Sequence, residues 1–209
     1  MSSICLLLSG VALLINGLGL LGRIKVRDSA VFNLLIGGLQ LVLAVLISVA
    51  AGGDSSSLLD VSSIFLFGIT YFYVGLSSLL ELGPHGVGWY CGFVASMGAF
   101  YAFHSFLTDM VLSILWSGWT VLWALFFVVL ALEKKELVVF TAWTAILMSP
   151  LTATLPAILD LSIGWPTGEL WAVLAGSTIA LIFVISSLLS KTGYGVVRAS
   201  TRDVEPLLG

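Results

Sequence analysis

The chain has 209 residues, of which 59% are hydrophobic and only 9% charged, with a formal net charge of −3 and a mean hydropathy of +1.15. A soluble domain would carry about 25% charged residues, so the composition excludes a water-soluble or nucleic-acid-binding domain and describes an integral membrane protein. Two cysteines, Cys5 and Cys91, form no metal-binding pattern and are too few for a disulfide framework.

A helix needs about 20 apolar residues to cross a ~30 Å hydrocarbon core, and seven stretches are long enough. Span 1 (4–22) has no basic residue before it, unlike a cleaved signal peptide; the basic cluster "GRIKVRDS" follows it instead. Spans 1 and 2 (30–51) contain the neutral polar residues Asn16, Asn33 and Gln40 beside Gly17, Gly19, Gly37 and Gly38. That pairing favours interhelical hydrogen bonds where small residues permit close approach. Span 3 (62–82) contains "FGITYFYVG", with Ile69 and Tyr73 on one face and Tyr71 on another.

Span 4 (88–107) begins at Trp89, and span 5 (110–132) places Trp116, Trp119 and Trp123 on one stripe. At ~100° per residue the three fall within an arc of about 60°. Counted from the start of span 5, Trp119 is ~14 Å deep at 1.5 Å per residue. An indole N–H facing lipid at that depth would lack a partner, so the stripe must face protein or a cavity. Periodicity alone leaves helix packing and a pore wall equally open. Span 6 (137–159) and span 7 (169–189) complete the set, followed by a polar, Gly- and Pro-containing stretch. The division expected is one transmembrane domain over 1–190 and a flexible cytoplasmic tail over 191–209. Trp89, Trp143, Trp165 and Trp171 lie near span ends and read as interfacial anchors.

The basic residues orient the chain. All eight, Arg23, Lys25, Arg27, Lys134, Lys135, Lys191, Arg198 and Arg202, fall on one side of a seven-span path. Asp54, Asp60, Asp109, Asp160 and Glu169 fall on the other. By the positive-inside rule the N-terminus is outside and the C-terminus cytoplasmic. Cys5 and Cys91 then lie near opposite faces and cannot pair.

No Lys, Arg, Asp, Glu or His lies near a span centre, although ion and proton pathways normally place such groups inside the membrane. A conduit of aromatic, aliphatic and neutral polar groups suits a small uncharged solute moving passively. No nucleophile or metal motif is present, so neither an enzyme nor a cofactor is expected. A weak internal repeat links "FNLLIGG" (32–38), "YCGFVAS" (90–96) and "WTAILMS" (143–149): an aromatic, apolar residues three and four later, a small residue six later. The fold expected is therefore all-α, three two-helix hairpins and one extra C-terminal span.

The motifs resemble the urea and short-chain amide channels of the UreI/AmiS type over about residues 1–160. The resemblance rests on Leu6, Gly10, Leu13 and Asn16-Gly17, on "SAVFNLLIGGL" (29–39) and "LFGITYFY" (66–73), and on "GWY" (88–90). It continues through "WSGWTVLW" (116–123), "FTAWTAIL" (140–147) and Pro156. The added seventh span makes it more similar to the amide-channel branch of actinobacterial type. The resemblance implies a multi-pass plasma-membrane protein, a ring of six protomers each with its own pore, and urea or acetamide-like solutes. It also implies a pore wall of Trp116, Trp119, Leu122 and Trp123 with Ile69 and Tyr73, narrowed by Leu6 and Leu13 in the outer half. Urea channels carry an acidic residue where this chain has Met148 and an aromatic where it has Ile69, which would widen the pore. The outer loop "AGGDSSSLLD" has no histidine, so acid gating of the urea-channel kind is not expected. The alternatives are an ion-coupled transporter of a small neutral metabolite and a non-conducting membrane interaction protein.

Overall fold

The computed structural model describes residues 2–194. They form seven helical rods: α1 (Ser3–Leu20), α2 (Val26–Ala50), α3 (Ser55–Leu79), α4 (His85–Ser105), α5 (Met110–Leu130), a broken sixth rod, and α8 (Glu169–Thr192). The sixth rod runs from a 3₁₀ turn (Lys135–Leu137) through α6 (Val138–Met148), a π turn (Ser149–Thr154) and α7 (Leu155–Ile163). Six rods are long and apolar enough to cross a membrane. The other is α4, whose 21 residues include glycines, tyrosines, serines and two histidines. Its length matches its neighbours although its apolarity does not.

The closest packing joins α2 to α3, α4 to α5, and α1 to α6 with its π turn. Consecutive hairpins 1–2, 3–4 and 5–6 are therefore not the packing units; the bundle closes by bringing its first and sixth rods together. Glycines make the approach possible. A Cβ on Gly37 would run into the Phe72 backbone of α3, and one on Gly88 would lie 2.5 Å from the Ala131 nitrogen. In lipid, where apolar surface gains nothing by leaving the solvent, such backbone-to-backbone packing supplies most of the helix–helix attraction.

The chain turns out of α1, α3, α5 and α8 through left-handed residues at one end of the bundle: Gly22, Glu81, Glu133 and Gly193. After α1 and α3 the turn is the same, with the Arg23 N–H donating to the Leu18 carbonyl and the Leu82 N–H to the Ser77 carbonyl. These six-to-one bonds satisfy carbonyls that a helix end otherwise leaves open. At the opposite end the Asp54 and Asp109 carboxylates cap α3 and α5 by accepting from the Ser57 and Leu112 N–H groups. Arg23, Lys25, Arg27, Lys134, Lys135 and Lys191 thus share one end, and Asp60, Asp109 and Asp160 the other.

The break in the sixth rod lies between Pro150 and Pro156. Each proline lacks an N–H and crowds the carbonyl four residues earlier. The backbone widens by one residue, so the Leu155 N–H reaches the Pro150 carbonyl. The Ser149 hydroxyl donates to the Gly10 carbonyl at 2.7 Å and ties the turn to α1. The extra helix α8 packs on α5 and α6, with Ile179 against Gly118 and Met148. It extends to Thr192, beyond the expected start of a flexible tail, and Trp143 donates from its indole N–H to the Tyr194 carbonyl at 3.0 Å. The rest of that expected tail, 195–209, lies outside the described residues.

Candidate functional site: a conduit beside α5

Three spaces share lining residues one with the next. At the acidic end a vestibule of about 270 Å³ is bordered by Leu6, Asp60, Asp109, Leu112, Trp119, Asp160 and Trp165. At the basic end a vestibule of about 300 Å³ is bordered by Leu13, Asn16, Ser29, Thr70, Cys91, Trp123 and Phe126, among others. A further cavity shares Val26, Val74, Ser78, Val87 and Leu130 with it and reaches Glu81 and Pro84 at the α3–α4 turn. Between the vestibules is a neck of about 10 Å³, walled by Leu6, Ser9, Leu13, Phe67, Tyr71, Trp119, Leu122, Trp123 and Ala153. Leu6 and Trp119 border both the neck and the acidic vestibule; Leu13 and Trp123 border both the neck and the basic one. The three spaces therefore adjoin in series through shared walls. A space of that size holds about one water.

The aromatic wall is assembled from α3 and α5. Phe67 stacks on Trp116 and Trp123, with centroids 5.5 and 5.7 Å away, and meets Trp119 edge-on at 6.1 Å. Tyr101 of α4 stacks on the far side of Trp116 at 4.7 Å. The stacked pairs contribute about 0.5–1.5 kcal/mol each beyond their burial, which fixes Phe67, Trp116 and Trp123 against one another. Trp119 does not aim its N–H into the neck: it donates to the Thr152 hydroxyl at 3.0 Å, and Thr152 in turn donates to the Met148 carbonyl at 2.8 Å.

Neutral polar groups are paired off in the same way. Asn16 and Asn33 exchange amide hydrogen bonds at 3.0 and 2.7 Å, joining α1 to α2. Gln40 donates to the Cys5 carbonyl at 2.8 Å and the Ser9 hydroxyl at 2.9 Å. Ser9 lies beside the Tyr71 hydroxyl, so the neck's two polar side chains form one cluster. These bonds match the interhelical role expected of Asn16, Asn33 and Gln40. At the acidic mouth the Ser3 hydroxyl donates to Asp160, while the buried Trp165 indole N–H has no partner. Half-buried, Trp165 forms part of the vestibule wall. Asp54, fully exposed beyond the mouth, has its carboxyl pulled down to about 2 by hydrogen bonds from Ser56 and Ser57.

Of the expected wall residues, the structure brings Leu6, Leu13, Trp119, Leu122 and Trp123 together at the neck. Trp116 is buried behind them, between Phe67 and Tyr101. Met148 is fully buried and packs against Gly118, away from the three spaces. Ile69 and Tyr73 require correction. Ile69 is 40% exposed on the outside of α3, so it cannot widen the neck, and the Tyr73 hydroxyl lies against Gly86 of α4. Their inward counterparts are Phe67 and Tyr71, two residues earlier. A shift of two residues turns a helix by ~200°; the sequence carries large side chains at the same four-residue spacing on both faces. Ser9 and Ala153 were not singled out by spacing, and Thr152 had only the flanking prolines to mark it.

A family model described as AmiS/UreI family transporter matches residues 1–163. The chain is 44% identical over 187 residues to a putative transporter protein AmiS2 of Rhodococcus erythropolis, covering 88% of this chain and 90% of that one. It is 33% identical over 196 residues to a putative amidate substrates transporter protein of Mycolicibacterium smegmatis, covering 91% and 92%. The fold matches the cryoEM structure of the Helicobacter pylori urea channel in a closed state with a TM-score of 0.72 at 30% identity. That match covers 79% of this chain and all of the other. Both α8 and the residues after it lie beyond the family match.

Proposed function

The chain belongs to the AmiS/UreI family of transporters, and on that premise we propose that it is a passive channel for urea and short-chain aliphatic amides. It is a multi-pass protein of the plasma membrane and not an enzyme, as its family is made up of channels and transporters. The observation that carries the reading is the neck. Its wall contains no carboxylate, amine, guanidinium or imidazole, so it offers no group for ion coupling, while flat aromatic faces suit a planar amide. Conduction requires contacts that replace part of a solute's hydration without retaining it. The fixed wall is Phe67, Trp119 and Trp123; Leu6, Leu13 and Leu122 change rotamer to admit a solute larger than water. Asn16, Ser29 and Thr70 rehydrate it at the basic end.

The same reading takes residues 1–190 as one channel domain with seven spans, α4 included. The basic end is cytoplasmic, supported by the position of every lysine and arginine among the described residues. It also takes the resemblance to urea channels as grounds for a ring of six protomers, each with a complete conduit. The outer faces of α2 (Leu35, Val42, Val49) and α8 (Val173, Leu181, Leu188) are exposed and apolar, as lipid or a neighbouring protomer requires.

Light scattering from proteoliposomes tests the function. Urea and acetamide should enter faster than into protein-free vesicles, and a sodium or proton gradient should not accumulate either. Uptake against a solute gradient would replace the channel by a coupled transporter. Entry no faster than through bare lipid would leave a non-conducting membrane protein.

A further inference from the structure

Resting on the channel reading, we infer that Thr152 is a positioning residue that sets the selectivity of the neck by holding the Trp119 ring. The indole N–H is the one polar atom of that ring, and it is turned out of the neck onto the Thr152 hydroxyl at 3.0 Å. Thr152 is almost fully buried. Its own proton goes to the Met148 carbonyl at 2.8 Å, so its oxygen is left as an acceptor with a fixed direction.

The hydroxyl stands where it does because of the π turn. Pro150 and Pro156 bracket the widened backbone, and the Ser149 hydroxyl fastens the turn to the Gly10 carbonyl. A Cβ on Gly10 would lie 2.5 Å from the Thr154 hydroxyl oxygen, so α1 and the turn are already in closest contact. The turn has no freedom to follow Trp119; Trp119 is held to it. Nothing else in the wall restrains that ring as a hydrogen bond does: its aromatic neighbours Trp116 and Phe67 meet it at 83° and 85°, edge contacts about which a ring can tip.

With the bond in place, a solute in the neck meets the Trp119 face at a fixed distance and no N–H donor. Without it, the ring is free to tip, and its N–H competes for the solute carbonyl or for water. The neck then loses both its width and its indifference to hydrogen bonding, so larger amides are excluded less well. π turns of this kind recur at functional sites, and this one is joined directly to the narrowest point of the path.

The test is the ratio of urea to butyramide permeability in proteoliposomes of assembled protein, with the indole N–H marker band in ultraviolet resonance Raman difference spectra recorded alongside. Thr152→Val keeps the shape and removes the acceptor. It should shift the marker band to a free N–H and lower the ratio by about fivefold, the factor that one neutral hydrogen bond represents. Thr152→Ser should restore both. Trp119→Phe keeps a ring and has no N–H; in that background Thr152→Val should change the ratio no further, and this pair reads the coupling even where Thr152→Val alone assembles poorly. A shifted band with an unchanged ratio, or an equal effect of Thr152→Val with and without the indole, would overturn the inference while leaving the channel intact. Wild-type vesicles that pass neither solute would remove the channel reading and this inference with it.

Discussion

Trp119 and Trp123 border the neck, the solute path on the channel reading, while Trp116 is enclosed by Phe67 and Tyr101 on the same helical stripe. The three should therefore separate on mutation. Trp116→Ala empties a packed aromatic site and should cost about 3–5 kcal/mol of stability, read as a fall in thermal denaturation midpoint in detergent. Its permeability per assembled particle should stay near wild type. Trp119→Ala and Trp123→Ala should alter urea-over-amide selectivity in particles that still assemble. Equal selectivity in all three would show that the stripe is packing throughout. Asp54 supports a second expectation. Hydrogen bonds from Ser56 and Ser57 hold its folded-state pKa below the usual 3.8, at about 2. The stabilisation belongs to the ionised form, is complete above the unfolded value and is lost only as pH falls through the folded one. Between about pH 7.5 and 5 the group does not titrate, so Asp54→Asn should leave the pH profile of acetamide permeability in that range unchanged. A profile that steepens or flattens in this variant would assign Asp54 a gating role. The tryptophan spacing and the Asn16, Asn33 and Gln40 bonding were legible in the sequence, because a helical period and an unpaired polar group in lipid each have few solutions.

The helices end by a common device. Gly22 and Glu81 occupy the same left-handed position after α1 and α3, each followed by an N–H that closes back on the helix. Glycine enters this conformation freely, whereas a residue with a Cβ is strained there by roughly 1–2 kcal/mol. Glu81 is exposed, so Glu81→Gly should stabilise the protein by about 0.5–1 kcal/mol, seen as a raised denaturation midpoint with unchanged permeability. A lowered midpoint would mean that the glutamate makes a contact outweighing its strain. The sixth rod shows the limit of reading elements from sequence. Its length and apolarity predict one helix over 137–159, but the chain runs helical from 138, widens at 149–154 and continues to Ile163. Prolines announce a break; they do not specify that it takes the π form. That depends on the Ser149 hydroxyl finding the Gly10 carbonyl on α1, a partner 139 residues away.

For the whole molecule, the segregation of charge is the strongest constraint. The described basic residues gather at the end bearing Glu81 and the α5–α6 turn, and three carboxylates gather at the other mouth. A membrane-impermeant thiol reagent applied to intact cells should label Ser56→Cys and spare Ser200→Cys. The reverse pattern would invert the bundle and put the acidic vestibule in the cytoplasm. The extra helix α8 covers Gly118 and Met148 with Ile179. It closes a side of the bundle outside the stretch matched by the family model, which ends at residue 163.

The sequence by itself determined the membrane setting, the order of the helical rods, the charge asymmetry between their ends among the described residues and the family. Each of these depends on composition along the chain. Only the tertiary structure decided that Phe67 and Tyr71, not Ile69 and Tyr73, turn toward α5, that α1 closes on the sixth rod, and that the Trp119 N–H is engaged by Thr152. The reason is the solvent. In water, polarity marks the outside of a helix, and the apolar face points to the core. In lipid the outside is as apolar as the inside, so two stripes of large side chains on one helix are equivalent until packing at glycines and buried hydrogen bonds chooses between them.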